Sequence, residues 1–269
     1  MKRYFFHIAY NGINYRGWQR QPKSINIQQV VDTALCQILK ENITIIGCGR
    51  TDAKVHASQF FFHIDIAQEW DYDLLFRLNK ILPDDIAAYD IIPVADLAHS
   101  RYDATLRTYD YFIHTCKNPF LSDFSAMYLE KNLNFDKMQQ AASLLVRYND
   151  YKCFCKSPAN FRTTICNIRS SALFTDPSES RIRFQISASR FLTSMIRIIV
   201  TKLLEIGRGE LSVDEFEGYL IRGETPTLIK PAHPQGLYLS KVTYPYLDIA
   251  PKGELSSILQ NLQQNWIAV

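Results

Sequence analysis

The chain has 269 residues, of which 47% are apolar and 21% charged, an ordinary globular composition that excludes a collagen-like or low-complexity protein. Six cysteines are too few for a disulfide scaffold, and a net charge of +3 says little about partners. The richest apolar stretch, from Met195 to Ile206, is short and contains Arg197 and Lys202. The N-terminus has no apolar run that would make a signal peptide. We therefore expect a cytoplasmic protein with reduced thiols and no membrane segment.

Hydrophobic periodicity predicts alternating strands and helices in the first half of the chain. The predicted strands are 5–10, 43–46, 59–66 and 86–92. The predicted helices are 30–39, which follows a capping box of Asn26 and Gln29, and 74–81, which stops before Pro83.

The second half has a similar order of elements. Its predicted strands are 105–115, 163–174, 181–188 and 237–244. Its predicted helices are 134–146, 191–206, one that begins at the capping box of Ser212 and Glu215, and 254–264. This mixture of hairpin-like and crossover spacing predicts an α+β fold with two related halves. We expect a mainly antiparallel sheet flanked by helices, with a cleft between the halves.

Basic residues are concentrated in three windows that contain no acid: 1–31, 151–175 and 181–204. Aromatic residues such as Trp18 and Phe191 lie among them. Basic and aromatic side chains in alternation suit a phosphate chain with unstacked bases. Solvated strand faces give the same pattern, so charge alone leaves nucleic-acid binding and an ordinary surface equally open.

A dense run of polar and turn residues, GCGRTDAKVH at 47–56, lies between two predicted strands. Arg50 and Asp52 are two residues apart and share a face in extended backbone. The guanidinium would favour the charged form of the carboxyl group, and an ionised, partly desolvated Asp52 can act as nucleophile or base. Spacing alone favours the plainer alternative, a turn with a structural ion pair.

Four ordered motifs resemble the TruA-type tRNA pseudouridine synthases. They are YNG at 10–12 with YRGWQRQ at 15–21; GRTDAKVHA at 49–57; HSRYDAT at 99–105 with RTYDY at 107–111; and Phe191, Met195 and Arg197 followed by GLYL at 236–239. The resemblance implies two pseudo-symmetric halves with a basic cleft between them. We expect residues 1–104 to carry the Asp loop, residues 105–246 to carry the Tyr and basic motifs, and residues 247–269 to form a helical tail.

The resemblance also implies an isomerase that converts uridine to pseudouridine in the anticodon stem-loop of tRNA, at tRNA positions 38–40. The catalytic residues that it implies are Asp52, Arg50, Tyr109 and Arg197. The substrate-binding residues that it implies are Tyr109, Arg16, Arg20, Gln21, His56, Arg101 and Arg107; for His56, hydrogen bonds that stabilise the loop are the alternative. Family members are homodimers in which each tRNA contacts both subunits.

We expect no cofactor, because the reaction oxidises nothing and loses nothing. We also expect no metal, because Cys153 and Cys155 lack further ligands at zinc spacing. Two departures from the family pattern stand out: Lys54 replaces a usual Gly, and Thr193 and Ser194 replace one or two His. If position 54 requires a positive φ, the lysine is strained, although near phosphate it can help to hold RNA. These departures support one alternative, an RNA-binding or tRNA-chaperone protein on the same scaffold with weakened or altered chemistry.

Overall fold

The structure is a computed structural model that describes residues 1–67, 70–224, 230–252 and 267–269. These residues contain ten β-strands and five α-helices. The strands are β1 (Lys2–Tyr10), β2 (Ile46–Gly47), β3 (His56–Ile66), β4 (Ile86–Val94), β5 (Leu106–His114), β6 (Ala126–Met127), β7 (Ile168–Thr175), β8 (Arg181–Ala188), β9 (Leu237–Thr243) and β10 (Ile267–Ala268). The helices are α1 (Ile27–Leu39), α2 (Leu74–Ile81), α3 (Phe135–Leu144), α4 (Met195–Gly207) and α5 (Val213–Arg222). The strands pair in a mixed, mostly antiparallel and open sheet, which confirms the α+β prediction.

Internal contacts divide the chain into two units, and the boundary between them falls within β5. Unit 1 contains residues 1–107 and the described residues from 238 to 252. Unit 2 contains the described residues of 108–237 together with residues 267–269. Each unit combines helices with strands that are mainly antiparallel.

Unit 1 is built around β3. Its strand order is β4-β1-β3-β9, in which β1 is antiparallel to β3 and β4 while β9 is parallel to β3. Phe5 lies opposite His63, and His56 lies opposite Tyr238. All residues of β3 except one are buried, and they include polar side chains such as those of His56, Gln59 and His63. The loop that joins β2 to β3 starts beside β3, because β2 pairs with it, and ends at the first residue of β3.

The helices of unit 1 each begin directly after a capping residue. Asn26 accepts a hydrogen bond from the Gln29 N–H at 2.9 Å, and Asp73 accepts one from the Phe76 N–H at 2.9 Å. Each side-chain oxygen satisfies one of the amides that a helix start leaves unpaired. Helix α1 ends at Leu39, and its C-cap residue, Lys40, has a left-handed φ of 56°.

Unit 2 has the strand order β10-β7-β8-β5, with β6 parallel to β5. The predicted pairing of β7 with β8 is antiparallel, and it places Leu173 opposite Phe184. Ten of the thirteen residues of α4 are buried, which makes this helix the central core element of the unit. Helix α3 packs against both α4 and α5. None of the helices in the described ranges has the length and apolar character that crossing a bilayer requires.

Two predicted boundaries are wrong for local backbone reasons. Of the predicted strand 43–46, only Ile46 lies in a strand, and the carbonyl of Ile45 instead accepts a hydrogen bond from the Gln28 side chain at 3.2 Å. The helix predicted at 191–206 begins only at Met195, because its N-cap residue has a left-handed φ of 59° that an α-helix cannot contain.

Other boundaries also differ from the prediction: β1 begins at Lys2 instead of residue 5, and β3 begins at His56 instead of residue 59. The strand predicted at 163–174 begins at Ile168, and the helix predicted at 134–146 gives way to a 3-10 turn after Leu144. The helix predicted at 254–264 lies outside the described residues.

Candidate active site

The loop between β2 and β3, residues 48–55, carries Asp52 and is called the Asp52 loop below. Its first residue, Cys48, donates a backbone hydrogen bond to the Phe61 carbonyl in β3 at 2.7 Å. Near its end, the Val55 N–H donates to the Asp52 carbonyl at 3.2 Å and closes a turn. Asp52 is half-buried and Thr51 is buried. The backbone that carries the candidate carboxylate is therefore held on both sides.

A second loop, residues 11–18 between β1 and α1, packs directly on the Asp52 loop and is called the opening loop. A Cβ added at Gly12 would lie 2.0 Å from the Val55 carbonyl oxygen. A Cβ added at Gly17, whose φ is 87°, would lie 2.3 Å from the Thr51 carbonyl oxygen. Only glycine fits at both positions, so the two backbones can touch without a side chain between them.

Hydrogen bonds join the same two loops. The Trp18 N–H donates to the Thr51 carbonyl at 3.2 Å, and the Lys54 N–H donates to the Tyr15 carbonyl at 3.1 Å. The hydroxyl groups of Tyr10 and Thr51 are 2.9 Å apart. Trp18 is itself only 3% exposed, so its ring belongs to the core of unit 1. Two motifs that are far apart in the sequence thus form one backbone-bonded structure around Asp52.

His56 follows the Asp52 loop and is 1% exposed. Its Nδ1 accepts a hydrogen bond from the Gly12 N–H at 3.1 Å. Its ring stacks on Tyr238, with centroids 4.5 Å apart and an interplanar angle of 14°. These contacts are of the loop-stabilising kind, while the contact of His56 with substrate stays a prediction.

Arg50 lies at the exposed surface of the Asp52 loop. Its guanidinium makes no ion pair with any residue in the described part of the chain. The ion pair with Asp52 that the spacing predicts is therefore not formed within these residues. The guanidinium of Arg50 is left accessible to an incoming substrate.

Arg107 braces the Asp52 loop from the start of β5. Its guanidinium donates hydrogen bonds to the carbonyls of Cys48 at 2.9 Å, Arg101 at 2.7 Å and Ala104 at 3.2 Å. It therefore ties the first residue of the Asp52 loop to the segment 101–104. The side chain of Arg101, in contrast, is exposed.

Sequence reasoning missed Ser100, which anchors β2 beneath the Asp52 loop. Its hydroxyl donates to the Ile46 carbonyl at 2.7 Å, and its N–H donates to His63 Nδ1 at 3.2 Å. Burial, with the positive charge of Arg3 nearby, lowers the pKa of His63 to about 4, so this ring is neutral. The only available signal was the place of Ser100 inside the HSRYDAT motif.

Three predicted substrate-binding residues, Arg16, Arg20 and Gln21, are exposed around the start of α1. Arg20 Nη1 lies 3.8 Å from Asp32 Oδ2, on α1. Burial raises the pKa of Asp32 to about 6, and the charge of Arg20 opposes this rise. Arg20 and Gln21 also line an open surface depression of about 590 Å³, together with Lys23 and others.

Unit 2 carries the other two predicted catalytic residues. Tyr109 lies in β5, is 9% exposed, and meets the Phe191 ring edge-on with centroids 5.2 Å apart. Arg197 lies in the first turn of α4, is half-buried, and donates from Nε to the Ala232 carbonyl at 2.6 Å. Within unit 2, each of these side chains is thus positioned by a neighbouring motif residue or segment.

No three His, Cys, Asp or Glu side chains in the described ranges cluster as a metal site would require. The six cysteines are free thiols. Burial raises the pKa of Cys153 to about 12, so that its thiol stays protonated at neutral pH.

Comparisons with known proteins decide the family. A family model described as tRNA pseudouridine synthase matches residues 141–245. A protein of Bacteroides fragilis named tRNA pseudouridine synthase A is 41% identical over 247 residues, which cover 91% of this chain and 97% of the relative. The protein of the same name from Parabacteroides distasonis is 40% identical over 254 residues, which cover 91% of this chain and 97% of the relative. The one from Azobacteroides pseudotrichonymphae is 42% identical over 253 residues, which cover 91% of this chain and 98% of the relative. The chain belongs to the tRNA pseudouridine synthase A family.

Family membership confirms the resemblance that the four motifs carry. The backbone at the two expected departures is unusual. Lys54 has a φ of 63°, a left-handed conformation that glycine adopts without strain. Ser194 has a φ of 59° and precedes α4 directly. Two of the residues at which we expect departures from the family pattern, Lys54 and Ser194, therefore lie at left-handed positions.

Proposed function

We propose that this protein converts uridine to pseudouridine in tRNA, in the anticodon stem-loop at tRNA positions 38–40, with Asp52 as the catalytic group. The observation that supports this most directly is the Asp52 loop. It holds a half-buried carboxylate on a backbone that β3 and the opening loop fix from several sides. Such fixed placement is what a group needs if it is to meet a reacting atom without a reorganisation cost.

The reaction breaks the N1–C1′ bond of uridine, rotates the base, and joins C5 to C1′. One proton leaves C5 and N1 gains one, so atoms and electrons balance without an oxidant or cofactor. The Asp52 carboxylate can attack C1′, attack C6, or remove a ribose proton. Each of these routes needs the carboxylate in its charged form at neutral pH.

The remaining catalytic residues have distinct proposed roles. A uridine in a folded stem must leave its stack before it can react, and the exposed Arg50 fills the space that the base vacates. Tyr109 meets the uracil ring, either by stacking on it or by helping to remove the C5 proton. Arg197 is assigned the role of the basic partner of the catalytic carboxylate.

RNA binding is assigned to Arg16, Arg20, Gln21, His56, Arg101 and Arg107 besides Tyr109. The exposed arginines among them are able to displace counterions from phosphates, which makes binding depend steeply on salt. Arg107 contributes through the backbone carbonyls that it already holds, and His56 through the loop that it supports.

The proposal includes three assignments at the level of the whole protein. Residues 1–104 and 105–246 form two pseudo-symmetric halves on either side of a basic cleft, with residues 247–269 as a tail. The protein acts in the cytoplasm as a homodimer in which each tRNA contacts both subunits. Sedimentation of the purified protein, alone and with tRNA, tests the dimer.

The decisive experiment uses unmodified tRNA transcripts and maps pseudouridine by reverse-transcription stops after carbodiimide labelling. Wild-type protein should produce stops in the anticodon stem-loop. Asp52→Asn should produce none while still binding tRNA. Asp71→Asn is the matched control, because Asp71 is an exposed carboxylate of the same unit outside both loops. Substantial product from purified Asp52→Asn rejects the catalytic assignment.

The alternative function is RNA binding or tRNA chaperoning with weakened or altered chemistry. Lys54, Thr193 and Ser194 are the residues that favour it, since they depart from the family pattern. The same experiment separates the two functions, because wild-type protein that binds tRNA without forming pseudouridine would be a binding protein. Mapping pseudouridine in the RNA of a deletion strain would show whether another RNA is the substrate.

A further inference from the structure

Lys54 occupies a backbone conformation that disfavours a side chain. It is the third residue of the turn that the hydrogen bond from the Val55 N–H to the Asp52 carbonyl closes, and its φ is 63°. In the left-handed region a Cβ crowds the neighbouring carbonyl, so a turn with a positive φ at this place favours glycine. Lysine at position 54 is therefore strained relative to glycine.

The opening loop imposes this conformation. The Lys54 N–H donates to the Tyr15 carbonyl at 3.1 Å, and the carbonyl of the next residue, Val55, lies against Gly12. Glycine at position 54 would follow the same path without strain. A strained residue that persists in a functional loop points to a use for its side chain.

The side chain of Lys54 is exposed and available to an anion. Within the described residues its ammonium forms no ion pair, whereas the ammonium of Lys252, for example, binds Asp90 at 2.5 Å. A lysine ammonium is a point charge on a flexible stem, which suits a phosphate oxygen. Lys54 is two residues from Asp52, so an RNA strand whose uridine meets Asp52 brings its own phosphates near this charge.

We propose that Lys54 binds a backbone phosphate of the RNA next to the uridine that meets Asp52. The inference rests on the proposed function, because that function places RNA at the Asp52 loop. Lys54 acts here as a positioning residue. Its contact is equally strong before and during the reaction, so it contributes to affinity rather than to the rate of the bound complex.

The test compares Lys54→Gly, Lys54→Ala and Lys54→Arg with the matched control Lys40→Gly. Lys40 is also exposed and left-handed, with a φ of 56°, but it is the C-cap residue of α1, outside both loops. Both glycine variants should raise the Tm by about 2 °C, because both relieve strain. Affinity for an unmodified tRNA transcript, its salt dependence, and the single-turnover rate are then measured for each protein.

Among these changes, only removal of the Lys54 charge should affect RNA binding. Lys54→Gly and Lys54→Ala should weaken tRNA binding about two- to fivefold, the range of an exposed ion pair. The slope of log affinity against log salt should fall by about 0.7–0.9, the value for one phosphate contact. Lys54→Arg and Lys40→Gly should bind as the wild type does, and saturating single-turnover rates should be equal.

Two outcomes overturn the assignment of Lys54. One is unchanged affinity and salt slope in Lys54→Gly and Lys54→Ala while the wild type forms pseudouridine, which leaves the proposed function intact. The other is weakened binding in Lys54→Gly but not in Lys54→Ala, which attributes the effect to backbone freedom instead of charge. Wild-type protein that neither binds tRNA nor forms pseudouridine contradicts the proposed function itself.

Discussion

The backbone N–H of Gly12 donates a hydrogen bond to Nδ1 of His56, with 3.1 Å between the two nitrogens. This bond joins the opening loop to the residue that follows the Asp52 loop, and both groups are buried. A buried N–H without an acceptor costs more than the bond itself contributes. The imidazole of His56 is therefore a structural support of the Asp52 loop.

Replacing His56 with Phe should lower the free energy of unfolding, because the buried Gly12 N–H loses its acceptor. Phenylalanine keeps a ring against Tyr238 but removes the acceptor, so the cost should be about 1–3 kcal/mol. Urea unfolding of the wild type and of His56→Phe measures it. An unchanged free energy of unfolding would show that Gly12 finds another partner.

Gly12→Ala should disturb the Asp52 loop far more than Gly49→Ala. The added methyl group at position 12 would lie 2.0 Å from the Val55 carbonyl oxygen, whereas at position 49 it would meet no atom within 4 Å. Because the obstacle is backbone, we expect Gly12→Ala to cost about 1–3 kcal/mol, as overpacking does, and to slow single-turnover pseudouridine formation. Equal Tm values for the two variants would argue against direct backbone contact between the loops.

Stability should fall as the pH decreases from 6.5 towards 4, in part because of His63. The pKa of His63 is about 4 in the folded protein and near 6.5 when unfolded, so the unfolded state binds more protons in this window. The contribution is fully present above pH 6.5, and about 2 kcal/mol of it should be lost between pH 7 and pH 5.

The variant His63→Asn isolates this contribution. Its Oδ1 can still accept the Ser100 N–H, but the side chain does not titrate. The difference in unfolding free energy between pH 7 and pH 5 should shrink by about 2 kcal/mol. Some pH dependence should remain, because burial also lowers the pKa of His7, His99 and His114. An identical pH profile in the variant would contradict a neutral, buried His63.

Neutralising Arg107 should lower the Tm, whereas neutralising Arg101 should affect only tRNA binding. Arg107→Met leaves three carbonyls without their donor, so the Tm should fall by several degrees. Arg101→Ala removes an exposed side chain, so it should leave the Tm unchanged and weaken tRNA binding. Thermal denaturation and filter binding of both variants test these expectations. A wild-type Tm for Arg107→Met would show that Arg107 does not brace the Asp52 loop.

Arg16→Gln should weaken tRNA binding with little effect on the chemical step. Arg16 is exposed in the opening loop, and a phosphate contact there would add to affinity and to the salt slope. The readouts are the dissociation constant at several salt concentrations and the single-turnover rate at saturating protein. Unchanged affinity, or a lower saturating rate, would show that Arg16 does not have this role.

Local patterns predicted the elements whose ends are set by their own residues. Helix α2 and strand β8 have the predicted bounds, and the capping box of Ser212 and Glu215 begins α5. The strand predicted at 43–46 was wrong because a side chain binds its backbone, and the predicted start of α4 was wrong because a left-handed residue precedes the helix. The candidate site followed the same division. The motif around Asp52 was visible in the sequence, but the supports from Ser100 and Arg107 were not.

By itself the sequence determined the family, the α+β class and the residues with the right chemistry at the right spacing, because motifs, caps and apolar periodicity are properties of short segments. Tertiary structure alone decided which of these residues support the site and which face outwards. In the folded protein, His56 is buried and accepts a hydrogen bond from Gly12, and the guanidinium of Arg107 donates to backbone carbonyls. Arg50 and Lys54 are exposed. The physical reason is that burial and hydrogen-bond partners come from segments distant in the chain, whose approach no local pattern records.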